Sequence, residues 1–222
     1  MTDTTDAPEE VIVDEARSAL LEALVAELGD SLVEHRLVPG VDLWIRVKVE
    51  AFADTAAYLH ERQRFRYFDF LSVIDWLPSP FGRSLDAAVD VVLEGESEDE
   101  VAAEIVTGYA GGDTRFQAFA RVHNLTTGIG VTIKADIDPD VLAVPTWTTT
   151  YPGADWHERE AWEMFGITFI GHPGLRPLYL PGDFEGHPMR KDFPLLARLV
   201  KPWPGIVDVE PMPSTDNPED AS

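Results

Sequence analysis

Between residues 171 and 213 the chain places nine of its seventeen prolines, interleaved with Gly171, Gly174, Gly182, Gly186 and Gly205. Each proline removes a backbone N–H and restricts φ, so this stretch is expected to hold neither a regular helix nor an interior strand. Punctuation of this kind usually marks a flexible linker. Yet in and beside it lie Phe169, Leu175, Leu178, Tyr179, Leu180, Phe184, Met189, Phe193, Leu195, Leu196 and Trp203, far more apolar bulk than a disordered linker carries. An extended strap with that much apolar surface needs something to lie on, its own domain or another protein. Another protein is the expectation. The charge changes at the same place: residues 1–150 hold 28 acidic and 11 basic side chains, residues 151–204 hold 7 and 6, and the tail from 205 holds 5 and none.

Upstream, the patterning is that of a folded domain. Residues 1–14 read as a disordered acidic leader. In EARSALLEALVAELGD, Ala16, Leu20, Ala23, Leu24 and Leu28 recur at helical spacing before a stopping Gly29. VDLWIRVKVE alternates Val41, Leu43, Ile45, Val47 and Val49 with Asp42, Arg46, Lys48 and Glu50, the period of a half-buried strand. A helix over 54–64 opened by Asp54 and a strand over 67–76 follow. After the turn-forming PSPFGRS, a strand is expected in AAVDVVLEG (87–95) and a helix in EDEVAAEIVTGY (98–109), with Ser97 and Glu100 as its capping box. RFQAFARVHNL and GIGVTIKADI flank Thr126, Thr127 and Gly128 as a hairpin. Without a regular β-α repeat, this order predicts an α+β fold: a mixed, largely antiparallel sheet with flanking helices, followed by a short helix and an extended Pro/Gly-rich C-terminal strap. The expected division is a leader (1–14), an α+β domain (15–145), a short helix with a partner-docking strap (146–204) and an acidic Pro-rich tail (205–222).

The chemistry-bearing stretch is HEREAWEMFG, residues 157–166. Asp155 is placed to cap a short helix, with Glu158 as its reciprocal partner and Gly166 as the stop. Ala161, Trp162 and Phe165 share a face, Arg159 and Glu163 stand four apart and can pair, and Glu160 must find a partner elsewhere. Zinc proteases use HExxH, but the position four after His157 is Ala161; di-iron helices use Glu-x-x-His, and here the order is reversed. His172 and His187 precede prolines, where histidine more often closes a turn than binds an ion. A carboxylate pair drawn from Glu158, Glu160 and Glu163 lacks a legible nucleophile, and no GxxxxGK[ST] or strand-to-helix glycine fingerprint cradles a nucleotide. Zero cysteines exclude disulfides and thiolate-ligated zinc or iron-sulfur clusters, and a net charge of −23 opposes binding to nucleic acid or an anionic lipid surface. No apolar run approaches the roughly 20 residues that span a bilayer. The acidic N-terminus is unlike a secretory signal, so a cytoplasmic location is expected.

ERE at 158–160, Glu163 with Met164 and Phe165, His172, Arg176, Leu178 and Tyr179, followed by GDFEGHPMRKDFPL at 182–195 with Gly186, His187, Arg190 and Asp192, resemble the two hallmarks of the 30 kDa (C-type) subunit of proton-pumping NADH:quinone oxidoreductase, respiratory complex I. The match covers about 40 residues at fixed spacing, and further upstream only the order of elements around 41–76 and 115–137 fits. The resemblance implies a structural, non-catalytic subunit of the peripheral arm on the cytoplasmic face of the membrane, with FMN, iron-sulfur clusters and quinone held by other subunits. Its implied partners are chiefly the quinone-site subunit, of the 49 kDa or D type, and neighbouring iron-sulfur subunits. On this reading Glu158, Arg159, Glu160 and Glu163 orient the helix and tie the strap to its neighbour, and Arg159 and Arg190 are suited to bidentate carboxylate pairing. The alternatives are the equivalent subunit of a membrane hydrogenase or of an oxidoreductase with another electron donor and, more distantly, a metal hydrolase using His157, Glu160, His172 and His187.

Overall fold

The computed structural model describes residues 14–78 and 105–193; apart from Pro78 they belong to one compact unit. The leader through residue 13, the strand expected over 87–95, the helix expected over 98–109 up to residue 104, and the strap and tail from residue 194 lie outside the described residues. The described elements are α1 (Glu15–Leu28), β1 (Leu32–Arg36), β2 (Leu43–Val47), α2 (Phe52–Glu61), β3 (Tyr67–Asp75), β4 (Phe116–Asn124), β5 (Ile129–Ile137), β6 (Ala143–Pro145), α3 (Ala154–Phe165) and β7 (Thr168–Ile170).

Five strands form one sheet in the order β1-β2-β5-β4-β3. Only the β2–β5 pair is parallel, so the fold is α+β with a mixed, largely antiparallel sheet, as the sequence implies. β6 and β7 form a separate parallel pair. The β4–β5 hairpin closes where expected: Asn124 pairs with Ile129, its side-chain oxygen accepts the N–H groups of Thr126 and Thr127, and Gly128 takes φ +70°, a conformation open to glycine at little cost.

Alternation sets the core face. Leu43, Ile45 and Val47 of β2, Val131, Ile133 and Ala135 of β5 and Ala118, Ala120 and Val122 of β4 are buried on one side of the sheet. There they join Leu20 and Leu24 of α1, Phe52, Ala56 and Leu59 of α2 and Ala161 and Phe165 of α3 in a single core. The other side departs from expectation. Arg46, expected at a solvated face, is 5% exposed because the segment around residues 109–113 lies over it. Its guanidinium donates to the Ala110 carbonyl and to Glu34, Asp113 and Asp136. Lys134 beside it donates to the Tyr109 and Gly111 carbonyls, and burial pushes its amine down to about 8. An apolar cleft of about 260 Å³ lies on this same side, lined by Trp44, Ile74, Trp76, Gly108, Tyr109, Phe119 and Lys134.

Several local expectations shift for identifiable reasons. Asp14, assigned to the leader, is the N-cap of α1, accepting the Arg17 N–H. β1 is an edge strand whose middle residues are exposed, so its sequence carries no apolar alternation to detect. Val49–Ala51 form a 3-10 turn rather than the end of a strand, and α2 begins at Phe52 with Asp54 inside its first turn instead of capping it. Ile105–Tyr109 are irregular, so the helix expected through residue 109 does not reach it. The change of character at residue 145 is not a break in packing: Trp147, Tyr151, Ala154, Phe165, Ile167 and Phe169 belong to the same core as the sheet. The Trp147 indole donates to the Phe52 carbonyl at 3.1 Å, and the Tyr151 hydroxyl donates to that of Phe65 at 2.6 Å.

Candidate functional site

α3 carries the signature residues, packs against β3, and lies under the strap that follows β7. Its N-terminus differs from the sequence expectation. The helix starts at Ala154 with Gly153 at the cap position and no side-chain cap, which leaves Asp155 in the first turn. Glu158 therefore does not reach back as a reciprocal cap. It is wholly buried, where its carboxylate accepts the Thr146 hydroxyl and the Trp147 N–H, both at 2.5 Å. Burial pushes its pKa up to about 7, against the opposing pull of those two donors. Glu158 thus fixes α3 to the turn after β6.

Arg159, next to Glu158, and Glu163, one helical turn beyond Arg159, are each 6% exposed. Arg159 donates through Nε to the Arg176 carbonyl at 3.2 Å and through Nη2 to the Pro177 carbonyl at 3.0 Å. Glu163 accepts three successive strap N–H groups, those of Leu178, Tyr179 and Leu180, at 3.0, 2.9 and 2.8 Å. Burial raises the Glu163 pKa, but the three amides and the nearby Arg159 charge outweigh it and leave the carboxylate below its ordinary range. Glu160 lies against Tyr179 and is the main cause of that phenol's raised pKa.

The C-terminus of α3 is closed by the second hallmark. The last carbonyls of a helix have no partner within it. Here the Glu163 carbonyl is met by His187 Nδ1 at 2.8 Å, the Met164 carbonyl by the Met189 N–H at 3.1 Å and the Phe165 carbonyl by Arg190 Nε at 2.6 Å. Gly166 ends the helix at φ +73°, as expected. A Cβ there would meet the His187 ring and Arg190 Nη2, the latter at 2.7 Å. Gly166→Ala is therefore expected to lower stability by about 1–3 kcal/mol, from the left-handed backbone and the displaced cap together. Denaturant unfolding checks this; a loss under about 0.5 kcal/mol would mean that residues 187–190 lift away without cost.

Arg115, immediately before β4, ties down the last described residues of the strap. Its guanidinium pairs bidentately with buried Asp75 at 2.9 and 2.7 Å and with Asp192 at 3.0 and 2.9 Å. Asp75 also accepts the Leu77 and Lys191 N–H groups. Arg115 and Arg190 lie over the Phe116 ring, 4.6 and 5.2 Å from its centroid. The bidentate pairing expected of Arg159 and Arg190 thus falls to Arg115, while those two serve backbone carbonyls. No sequence signal marked Arg115 or Asp75, because the pair is 40 residues apart and Arg115–Asp192 is 77 apart.

The remaining signature residues have local duties. Phe165 is in the core. His172 accepts the Gly174 N–H at 3.0 Å through Nδ1, so its Nε2 carries the proton and faces the Asp155 carbonyl at 3.3 Å. This is the turn-closing role that a histidine before proline suggests. Arg176 offers its carbonyl to Arg159 and leaves its side chain at the exposed surface. Gly186 takes φ +93° against Phe193. His157 stands edge-on to Phe68. Among the described residues no three His, Asp or Glu side chains converge as a metal site, so the four residues of the hydrolase alternative are not gathered.

The family model described as "Respiratory-chain NADH dehydrogenase, 30 Kd subunit" matches residues 45–198. The C subunit of NADH-quinone oxidoreductase from Roseiflexus sp. is 32% identical over 183 residues, covering 82% of this chain and 87% of that one. The C/D subunit of NADH-quinone oxidoreductase from Cronobacter sakazakii is 43% identical over 88 residues, which is 40% of this chain but 15% of the relative's length. A solved structure, "Nqo5 of the trypsin-resistant fragment (1-134)", covers 72% of this chain and 98% of its own at 19% identity and a TM-score of 0.49. Among the described residues no helix is long and apolar enough to cross a membrane. With its signature helix and the described part of its strap inside the matched span, the chain belongs to the family of the 30 kDa, or C-type, subunit of the respiratory-chain NADH dehydrogenase, complex I.

Proposed function

We propose that this chain is a structural subunit of the peripheral arm of proton-translocating NADH:quinone oxidoreductase, docked through its strap against the quinone-site subunit at the cytoplasmic face of the membrane. The observation that carries this reading is the two-sidedness of the strap. Its inner side is held by Arg159, Glu163 and the end of α3, while Tyr179, Phe184 and Met189 remain exposed. Exposed aromatic and methionine side chains on a rigid support are typical anchors of a protein interface. Several relatives carry the joint designation C/D, which supports the 49 kDa, or D-type, subunit as the neighbour. A chain with no cysteine supplies no thiolate for a cluster, which supports placing the iron-sulfur clusters in other subunits; FMN and quinone are placed there on the family resemblance alone.

The test is recovery of the tagged chain from gently solubilised native membranes, with its partners identified by mass spectrometry and NADH:quinone activity assayed on the eluate. Recovery with the iron-sulfur and quinone-site subunits is expected; recovery as a lone monomer would overturn the reading. Arg159→Ala, which frees the Arg176 and Pro177 carbonyls, is expected to lower the amount of assembled complex and leave turnover per complex nearly unchanged. Normal assembly with abolished turnover would instead point to direct catalysis.

A further inference from the structure

Glu163 is used twice. Its carboxylate takes the N–H groups of residues 178–180, and its backbone carbonyl takes His187, beside the Met164 and Phe165 carbonyls that take Met189 and Arg190. One turn of helix therefore grips the strap at two places. Residues 181–186, all exposed, stand out between the grips as a short loop. That loop is braced from within and from beyond the second grip: the Phe184 N–H donates to the Pro181 carbonyl at 3.0 Å, and Phe184 stacks with Phe193 at 6.0 Å. Every one of these bonds lies within this chain.

We propose that the last turn of α3, centred on Glu163, is a latch that sets the strap's outward face on the isolated subunit, so that a partner meets a preformed surface and does not have to order the strap as it binds. The identity of the partner rests on the function proposed above; the latch does not. Its consequence for assembly follows from the cost of ordering. A segment that folds on binding loses conformational freedom at that moment, whereas one already held spends that cost during folding of its own subunit. Three amides converging on one carboxylate also make a charge-assisted contact stronger than three neutral bonds.

Amide hydrogen exchange on the purified full-length chain, without any partner, tests this directly. In the wild type, Leu178, Tyr179 and Leu180 are expected to exchange about a hundredfold or more slowly than a free peptide, while Asp183 and Glu185 exchange fast. In Glu163→Gln the side-chain NH₂ faces at least one backbone N–H whichever way the amide turns, and protection at 178–180 is expected to fall about tenfold or more with β4 and β5 unchanged. Free-peptide rates at 178–180 in the wild type would overturn the latch and show that the strap is ordered only by its partner. Undiminished protection at 178–180 in Glu163→Gln would overturn the role of Glu163. Should the variant lose protection in β4 and β5 as well, the wild-type contrast between residues 178–180 and residues 183 and 185 still decides. A failed membrane recovery with intact protection would sink the proposed docking and leave the latch standing.

Discussion

Arg115→Met is expected to lower the unfolding free energy by about 3 kcal/mol at pH 7, near the low end of what breaking a buried ion pair costs. The side chain of Asp75 is fully buried and loses its bidentate partner, while Asp192 loses its hold on the strap. The loss stays near that low end because Asp75 keeps the Leu77 and Lys191 N–H donors and because Arg115 itself is partly exposed. The pH dependence identifies the cause. In the wild type, burial pushes the Asp75 pKa up, but Arg115 and the two amides overcome this and hold it below the ordinary 3.8. Its stabilising contribution is therefore present above pH 3.8 and fades as pH falls through the depressed folded value. Without Arg115 the buried carboxyl accepts a proton more readily, so the variant's deficit should shrink as the pH is lowered towards 4. Urea unfolding of both proteins at pH 7 and pH 4 measures this. A deficit that is under about 1 kcal/mol at pH 7, or that does not change with pH, would mean solvent already screens the pair.

The same residues show where sequence reasoning reaches and where it stops. Strands β2 and β3 and the β4–β5 hairpin were legible because one buried face writes period-two alternation directly into the chain. Edge strand β1 has no such face to write. The described part of the strap, through residue 193, was legible as non-helical and anchored, since prolines and glycines exclude helix while the apolar residues exclude a free linker. What it lies on was only half legible. Its inner side rests on its own domain, on α3 through Glu163 bonds spanning 15 to 17 residues and beside β4 through an Arg115 bridge spanning 77, and nothing in local spacing encodes a contact that the tertiary fold creates. Arg159 and Arg190 show the same limit from the donor side. Guanidinium geometry suits carboxylates, but the nearest unmet acceptors were the carbonyls of a proline-rich strap and of a helix end.

Glu158 is the sharpest case, because a cap at the surface and a buried hydrogen-bonded carboxyl make opposite predictions about pH. In the structure its pKa stands near 7, against an ordinary 4.5. The folded state therefore binds the Glu158 proton more tightly than the unfolded state, and the associated stability is fully present below pH 4.5 and lost as pH rises through about 7. A shift of that size corresponds to about 3 kcal/mol. Glu158→Gln removes the titration while its oxygen can still accept the Trp147 N–H and its NH₂ can still reach the Thr146 hydroxyl. The stability of Glu158→Gln relative to wild type is thus expected to rise by up to about 3 kcal/mol between pH 4.5 and pH 8, whatever constant offset the substitution adds. Taking the difference cancels carboxylates of opposite sign, such as Asp75 and Glu163, whose depressed pKa values favour the folded state at higher pH. If that difference were the same at both pH values, Glu158 would be ionised throughout, and the Thr146 and Trp147 donors would outweigh its burial.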